Sequence, residues 1–143
     1  MAGYSGTPLP KKLGIKQGSR VALVSAPEGF EAELEPLPEG AELTRRLDGD
    51  GLDVVLLFVT ERDDLEQRFL PVARQIHAAG GLWVAWPKKS AKVPTDVDQS
   101  VVMEIGLATG LVDNKVCAVT DVWSGLRFVV RLTDRADWPP AAD

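Results

Sequence analysis

Lys88, Lys89 and Lys92 fall in one loop that opens at Pro87, directly after the apolar run Leu82-Trp-Val-Ala-Trp86. The chain carries a formal charge of -5, so these three ammonium groups are a local reversal of sign. Ammonium groups with hydroxyls beside them hold anions, and Ser90 and Thr95 supply the hydroxyls. Lys11 and Lys12 precede the first expected strand and are expected to fold over the same edge, bringing together five of the seven lysines. The pattern points to an anion or phosphate site of Lys88, Lys89, Lys92, Lys11 and Lys12 with Ser90 and Thr95. The competing reading is a solvated loop whose prolines fix the chain path, with Trp83 and Trp86 packed in the core or beneath it.

Other chemistries lack their residues. His77 is the only histidine, and zinc needs several His or Cys ligands, so no metal site is assigned. Cys117 lies among Val116, Ala118 and Val119 and reads as a buried small hydrophobe. A Cys–His nucleophilic pair stays open, without a local motif to support it. Ser5, Ser25, Ser90 and Ser124 lack the Gly-x-Ser-x-Gly elbow. Neither a phosphate-binding Gly-x-x-x-x-Gly-Lys-Ser/Thr loop nor Gly-x-Gly-x-x-Gly occurs. Glu28 and Glu61 could face one another as an acid–base pair, or serve the dipoles of the helices they start. Trp123, expected at a hairpin tip, could anchor a partner or fold back on its sheet. No catalytic residue and no cofactor is assigned.

The charge is unevenly spread. Between Glu28 and Glu66 thirteen acids stand against Arg45, Arg46 and Arg62, whereas the rest holds thirteen Lys or Arg against eight acids. Such asymmetry can orient a charged partner, here a small anionic ligand or an acidic protein, or simply give two solvated faces. Nucleic acid is disfavoured, since phosphate-backbone affinity requires a broad basic surface. The longest apolar run, Val54-Val-Leu-Leu-Phe-Val59, is far short of a membrane span. Neither a signal peptide nor a possible intrachain disulfide is found, which points to the cytoplasm.

These residues need elements to position them. Arg20 to Ala26 and Asp53 to Val59 read as strands buried on both faces, Ala41 to Leu47 as a weaker one, and Leu82 to Trp86 as a fourth. Phe30, Leu34 and Leu37 predict a helix over 28–37. Leu65, Phe69, Val72, Ala73 and Ile76 predict one starting near Thr60 and ending at Gly80-Gly81, kinked or restarted at Pro71. Thr95 or Asp96 is expected to cap a third, carrying Val97, Val101, Ile105 and Ala108. Lys115 to Val122 and Leu126 to Leu132 read as an antiparallel hairpin turning at Trp123-Ser-Gly125. The alternation implies a three-layer, Rossmann-like, mostly parallel sheet of order 2-1-3-4-6-5 with a C-terminal antiparallel hairpin. The expected division is a lead-in over 1–19, one α/β domain over 20–133 and a loosely held tail over 134–143. Ligands of such sheets sit at the carboxyl ends of the strands where the order reverses. That crevice would be lined by Ser25, Glu28, Gly29, Thr60, Glu61 and Trp86.

The succession resembles a shortened Rossmann-type methyltransferase. Lys12-Leu-Gly-Ile-Lys-Gln-Gly-Ser-Arg-Val-Ala-Leu-Val24 resembles the lead-in and first strand, Asp53-Val-Val-Leu-Leu-Phe-Val59 the fourth, and Gly80-Gly-Leu-Trp-Val-Ala-Trp86 the fifth. That resemblance implies a glycine-rich loop after the first strand, where bare backbone approaches the cofactor. The chain has Ser25-Ala-Pro-Glu-Gly-Phe30 instead. Asp48 could stand where the ribose-binding acid does, or be a turn aspartate. Tyr4-Ser-Gly-Thr-Pro-Leu-Pro-Lys-Lys-Leu-Gly-Ile15, Ala26-Pro-Glu-Gly-Phe30, Trp86-Pro-Lys-Lys89, Lys92-Val-Pro-Thr-Asp96, Gly110-Leu-Val-Asp-Asn-Lys-Val-Cys-Ala-Val119 and Trp123-Ser-Gly125 together resemble the bacterial domain-of-unknown-function family 3052. That likeness spans nearly the whole chain and implies no activity, cofactor or catalytic residue. The expected function is a cytoplasmic, non-catalytic binding or regulatory module. The alternatives are a cryptic methyltransferase-like enzyme with a remodelled pocket, and a structural assembly subunit.

Overall fold

Every side chain from Val54 to Val59 is buried, because the sheet to which they belong is covered on both faces. The computed structural model describes residues 7–47 and 51–139. Asp48 and the motif residues from Tyr4 to Gly6 lie outside them. The order is α1 (Leu9–Lys12), β1 (Arg20–Val24), a 3-10 turn (Phe30–Leu34), β2 (Glu42–Thr44), β3 (Leu52–Phe58), α2 (Arg62–Ala73) and β4 (Ile76–Pro87). A 3-10 turn (Lys89–Ala91), α3 (Gln99–Ala108), β5 (Val112–Ala118), β6 (Trp123–Val129) and a last 3-10 turn (Leu132–Asp137) follow. The sheet runs β2-β1-β3-β4-β6-β5, as the sequence predicts. β2, β1, β3 and β4 are parallel, and β6 is antiparallel to both β4 and β5.

Alternate residues of each strand feed two cores. On one face Val55, Leu57, Leu82, Val84 and Phe128 pack against Leu65, Phe69 and Val72 of α2 and Val102 and Ile105 of α3. Phe69 and Phe128 meet edge to face at 5.1 Å. On the other, Val54, Leu56, Phe58, Trp83 and Ala85 lie under Leu9, Leu13, Ile15, Phe30 and Leu34. The lead-in thus forms part of a covering layer. The Trp83 indole, fully buried, donates to the Leu13 carbonyl at 3.0 Å. In the tail, Trp138 donates to the Ile76 carbonyl at 3.1 Å and packs against the first core.

Four local expectations are corrected. The helix over 28–37 is only the 3-10 turn Phe30–Leu34. Pro27 and Gly29 (φ +81°) on one side and Pro36 and Pro38 on the other leave too few residues for α-helical turns. α2 continues through Pro71 without restarting, and beyond it the Arg74 amide still donates to the Leu70 carbonyl at 3.0 Å. It ends at Ala73, so His77 belongs to β4, not to a helix end. Leu52 pairs with Ile76 and Val54 with Gly81, which loops out residues 77–80. A Cβ on Gly80 would lie 2.8 Å from the Leu52 and Asp53 carbonyl oxygens, so this glycine serves close approach of two backbones. Finally, the hairpin turns at residues 119–122, where Thr120 Oγ1 accepts from the Val122 and Trp123 amides at 3.0 and 3.2 Å. Trp123-Ser-Gly125 therefore lies within β6. The β5–β6 register is also interrupted between Asp113 and Lys115.

Candidate functional site

At the carboxyl edge of the parallel strands, the loop after β3 and the loop after β4 are stitched together. Thr95 Oγ1 donates to the Thr60 carbonyl at 2.6 Å and accepts from the Val97 amide at 3.0 Å. Asp96 Oδ1 accepts from the Arg62 amide at 2.7 Å. Glu61, at the N-cap position of α2, makes no capping bond with its own side chain, so Asp96 caps that helix from across the edge. α3 is capped by Asp98, whose Oδ1 accepts from Val101 N at 3.0 Å, not by Thr95 or Asp96 as expected.

The strap formed by Pro94, Thr95 and Asp96 borders two recesses. One, of about 530 Å³, is lined by Trp86, Lys88, Lys89, Thr95, Gln99, Ser100 and Ser124, with Asp96 and Asp98 on the same wall. The two carboxylates balance the two ammonium groups, but each has an oxygen committed to a backbone N–H. The other, of about 460 Å³, is lined by Thr60, Glu61, Asp63 and the strap, all acidic or neutral. Of the predicted anion ligands, Lys88, Lys89 and Thr95 are brought together. Ser90 and Lys92 stay in the loop without lining either recess, Lys92 closing the short turn in the left-handed region at φ +56°.

Lys11 and Lys12 do not join them, which corrects the expected convergence of five lysines. They line a separate recess with Ser19, Asp53 and Gly80, where β1 and β3 begin. The cause is α1, which lies along the sheet face, pinned through Leu13 and Trp83.

The loop after β1 is braced by side chains. Ser25 adopts φ +59°, and its Oγ accepts from Arg68 Nη2 at 2.9 Å. Arg45 grips Glu31 in a fork, at 2.6 and 2.9 Å, and donates to the Ala26 and Pro27 carbonyls at 3.2 and 3.3 Å. These Arg45 hydrogen bonds, followed by a backbone hydrogen bond of Glu31, hold the Glu31 carboxyl down at about 2. Glu28 and Gly29 are exposed and line neither recess, so Glu28 and Glu61 are not gathered in either of them. The bracing residues Arg45 and Arg68 escaped sequence reasoning. The signal was there in part, since Arg45 is one of three cations among the thirteen acids between Glu28 and Glu66.

Trp123 is partly buried, its ring 5.1 Å from Phe58 in an edge-to-face contact, so it does not form an exposed hairpin tip. Burial raises the Cys117 thiol, with Lys12 and Lys115 acting against that rise. His77 Nδ1 accepts from the Ala79 amide within the looped-out segment, and no hydrogen bond joins it to Cys117 among the described residues. No three His, Cys, Asp or Glu side chains among the described residues are grouped to hold a metal ion. No helix among them is long and apolar enough to cross a membrane.

By sheet order and layers the protein is of the Rossmann-like methyltransferase fold class. A Sulfolobus solfataricus protein described as a type 11 methyltransferase superposes with TM-score 0.63 at 13% identity, over 92% of this chain and 94% of that one. A SAM-dependent methyltransferase from Aquifex aeolicus gives 0.52 at 15% identity, over 85% and 87%. A pericyclic reaction enzyme gives 0.52 at 14% identity over 87% of this chain, which spans about half (47%) of that protein's length. At such identities the likeness is one of fold. The chain belongs to the family Protein of unknown function (DUF3052), whose model matches residues 11–132. No curated protein matches it in sequence.

Proposed function

We propose that this protein is a binding module on a methyltransferase-like frame, without methyl-transfer chemistry. Its ligand is an anionic group, carried by a small molecule or an acidic partner, received between Lys88, Lys89 and Ser100. The observation that carries the reading is the Arg45 brace. In methyltransferases the loop after the first strand offers bare backbone to the cofactor. Here Pro27 has no N–H to offer, and the Ala26 and Pro27 carbonyls already accept from Arg45. The residues present therefore do not fit S-adenosylmethionine as they stand. The anion reading is supported by Lys88 and Lys89 beside the first turn of α3, where helical amides lack intrahelical acceptors.

A titration followed by amide NMR tests both halves. Orthophosphate is expected to move the Lys88, Lys89, Gln99 and Ser100 amides, and Lys88→Ala with Lys89→Ala to abolish the movement. Unmoved amides at that edge would sink the anion site. S-adenosylmethionine is expected to move nothing. A response of Ser25 through Phe30 to it would instead revive the second reading, a methyltransferase-like enzyme with a remodelled pocket, which the fold likeness favours.

A further inference from the structure

The recess fronted by Lys11 and Lys12 has a lopsided charge. Lys11, Lys12, Lys16, Lys115 and Arg127 line about 380 Å³ of space against one carboxylate, Asp53. That carboxylate is already engaged, since its Oδ2 accepts from the Arg20 amide at 2.8 Å. The volume falls in the range of small-molecule sites.

Arg127 is unlike a surface lysine. It is half-buried, and among the described residues its side chain has neither a hydrogen bond nor a carboxylate partner. Burial, and then the charge of Arg135, push its pKa down from the ordinary arginine value. A guanidinium withdrawn from water and left beside like charge is unfavourable until an anion joins it. The backbone beneath it is kept bare. A Cβ on Gly81 would come within 2.8 Å of the Arg127 Cζ and Nη2. Glycine weakens a strand interior, so its presence under this side chain marks a position shaped around the guanidinium.

The lysines are carried on fixed backbone. The Lys16 amide donates to Ser19 Oγ at 2.9 Å, and the Ser19 amide to the Lys16 carbonyl at 3.1 Å. The Ile15 amide takes the Pro10 carbonyl at 2.9 Å and the Trp83 indole takes that of Leu13, which holds the end of α1 above the recess. Lys115 stands opposite Arg127 in the β5–β6 pairing. Lys12 places one donor on the Ala118 carbonyl at 3.1 Å.

We infer that this recess is a second anion site, for a compact polyanion of the diphosphate type. Arg127 grips one phosphoryl group through its planar fork, and Lys11, Lys16 and Lys115 neutralise the rest. The site is independent of the lysine loop after β4 and stands or falls separately from it.

Calorimetric titration of the full chain with inorganic pyrophosphate at low ionic strength tests this, with amide NMR to locate the ion. Pyrophosphate is expected to bind about tenfold or more tightly than orthophosphate, since each charge-assisted contact adds to the grip. The Lys16, Gly81, Lys115 and Arg127 amides are expected to move. Arg127→Gln is expected to weaken binding about tenfold or more, and so is the combined Lys11→Gln, Lys16→Gln, Lys115→Gln variant. That triple variant alters exposed side chains only, so it keeps the test decisive if Arg127→Gln does not fold. Lys88→Ala with Lys89→Ala removes the loop site and is expected to leave the pyrophosphate-induced movement of the Lys16, Gly81, Lys115 and Arg127 amides in place. ADP in parallel separates a nucleotide's diphosphate from the inorganic ion, and tighter binding of either supports the grip. No heat with pyrophosphate, unmoved Lys16, Gly81, Lys115 and Arg127 amides, an unchanged response of those amides in the triple variant, or their loss of response in the Lys88, Lys89 variant would overturn the inference.

Discussion

Glu31 and Arg45 face solvent, each with 42% of its side chain exposed, yet the carboxyl is pulled from an ordinary 4.5 to about 2. A carboxyl whose folded pKa is depressed contributes stability above its unfolded value and loses it as pH falls toward the folded one. The window here runs from about 4.5 down to about 2. Exposure and salt keep the effect modest. Thermal midpoints of the wild type and Glu31→Gln should differ at neutral pH and converge as pH falls through that window. A difference that persists at its acid end would mean the pair is not the source. At this scale the sequence was only partly legible. That Lys88 and Lys89 fall together at the end of a strand could be read, because a charge reversal after a strand is visible in one dimension. The role of Gly106 could not. It lies inside α3 where a Cβ would overlap the Phe128 ring, and nothing local records that a ring from β6 arrives there. Gly125 likewise read as a turn residue, whereas its missing side chain makes room for Val119 and Trp83.

The elements were legible in proportion to how local their causes are. β1, β3 and α3 follow from apolar runs and helical spacing. The start of β4 does not, because His77-Ala-Ala-Gly80 reads as the end of a helix, whereas the pairing of Ile76 with Leu52 and the close approach of Gly80 to the Leu52 and Asp53 carbonyls place it. The caps show the same division. Asp98 caps its own helix, but the Asp96 that caps α2 comes from a loop 34 residues away, beyond any local motif. Losing a cap acceptor costs about 0.5–2 kcal/mol. Urea unfolding of Asp96→Ala should show a loss in that range, and Asp96→Asn, which keeps an acceptor oxygen, should recover most of it. An Asp96→Ala protein as stable as the wild type would mean that water serves the Arg62 amide equally well.

Over the whole molecule the sheet order could be derived, since right-handed crossovers leave few arrangements of these strands. What lies over the sheet's second face was harder to foresee. A four-residue helix with little amphipathic pattern gives no sign that it closes a core, yet Leu13 beside it has no exposed surface. Leu13→Ala should therefore cost about 2–5 kcal/mol in chemical denaturation, as for a central core leucine. A loss below about 1 kcal/mol would demote the lead-in to an appendage. The interruption between Asp113 and Lys115 has a consequence of another kind. β5 is the outermost strand on its side, and Val116 on it is 55% exposed. An edge strand that ran unbroken would be a template on which other chains stack into aggregates. The broken ladder, with a lysine set at the break, denies such chains a continuous row of amides and carbonyls to zip onto.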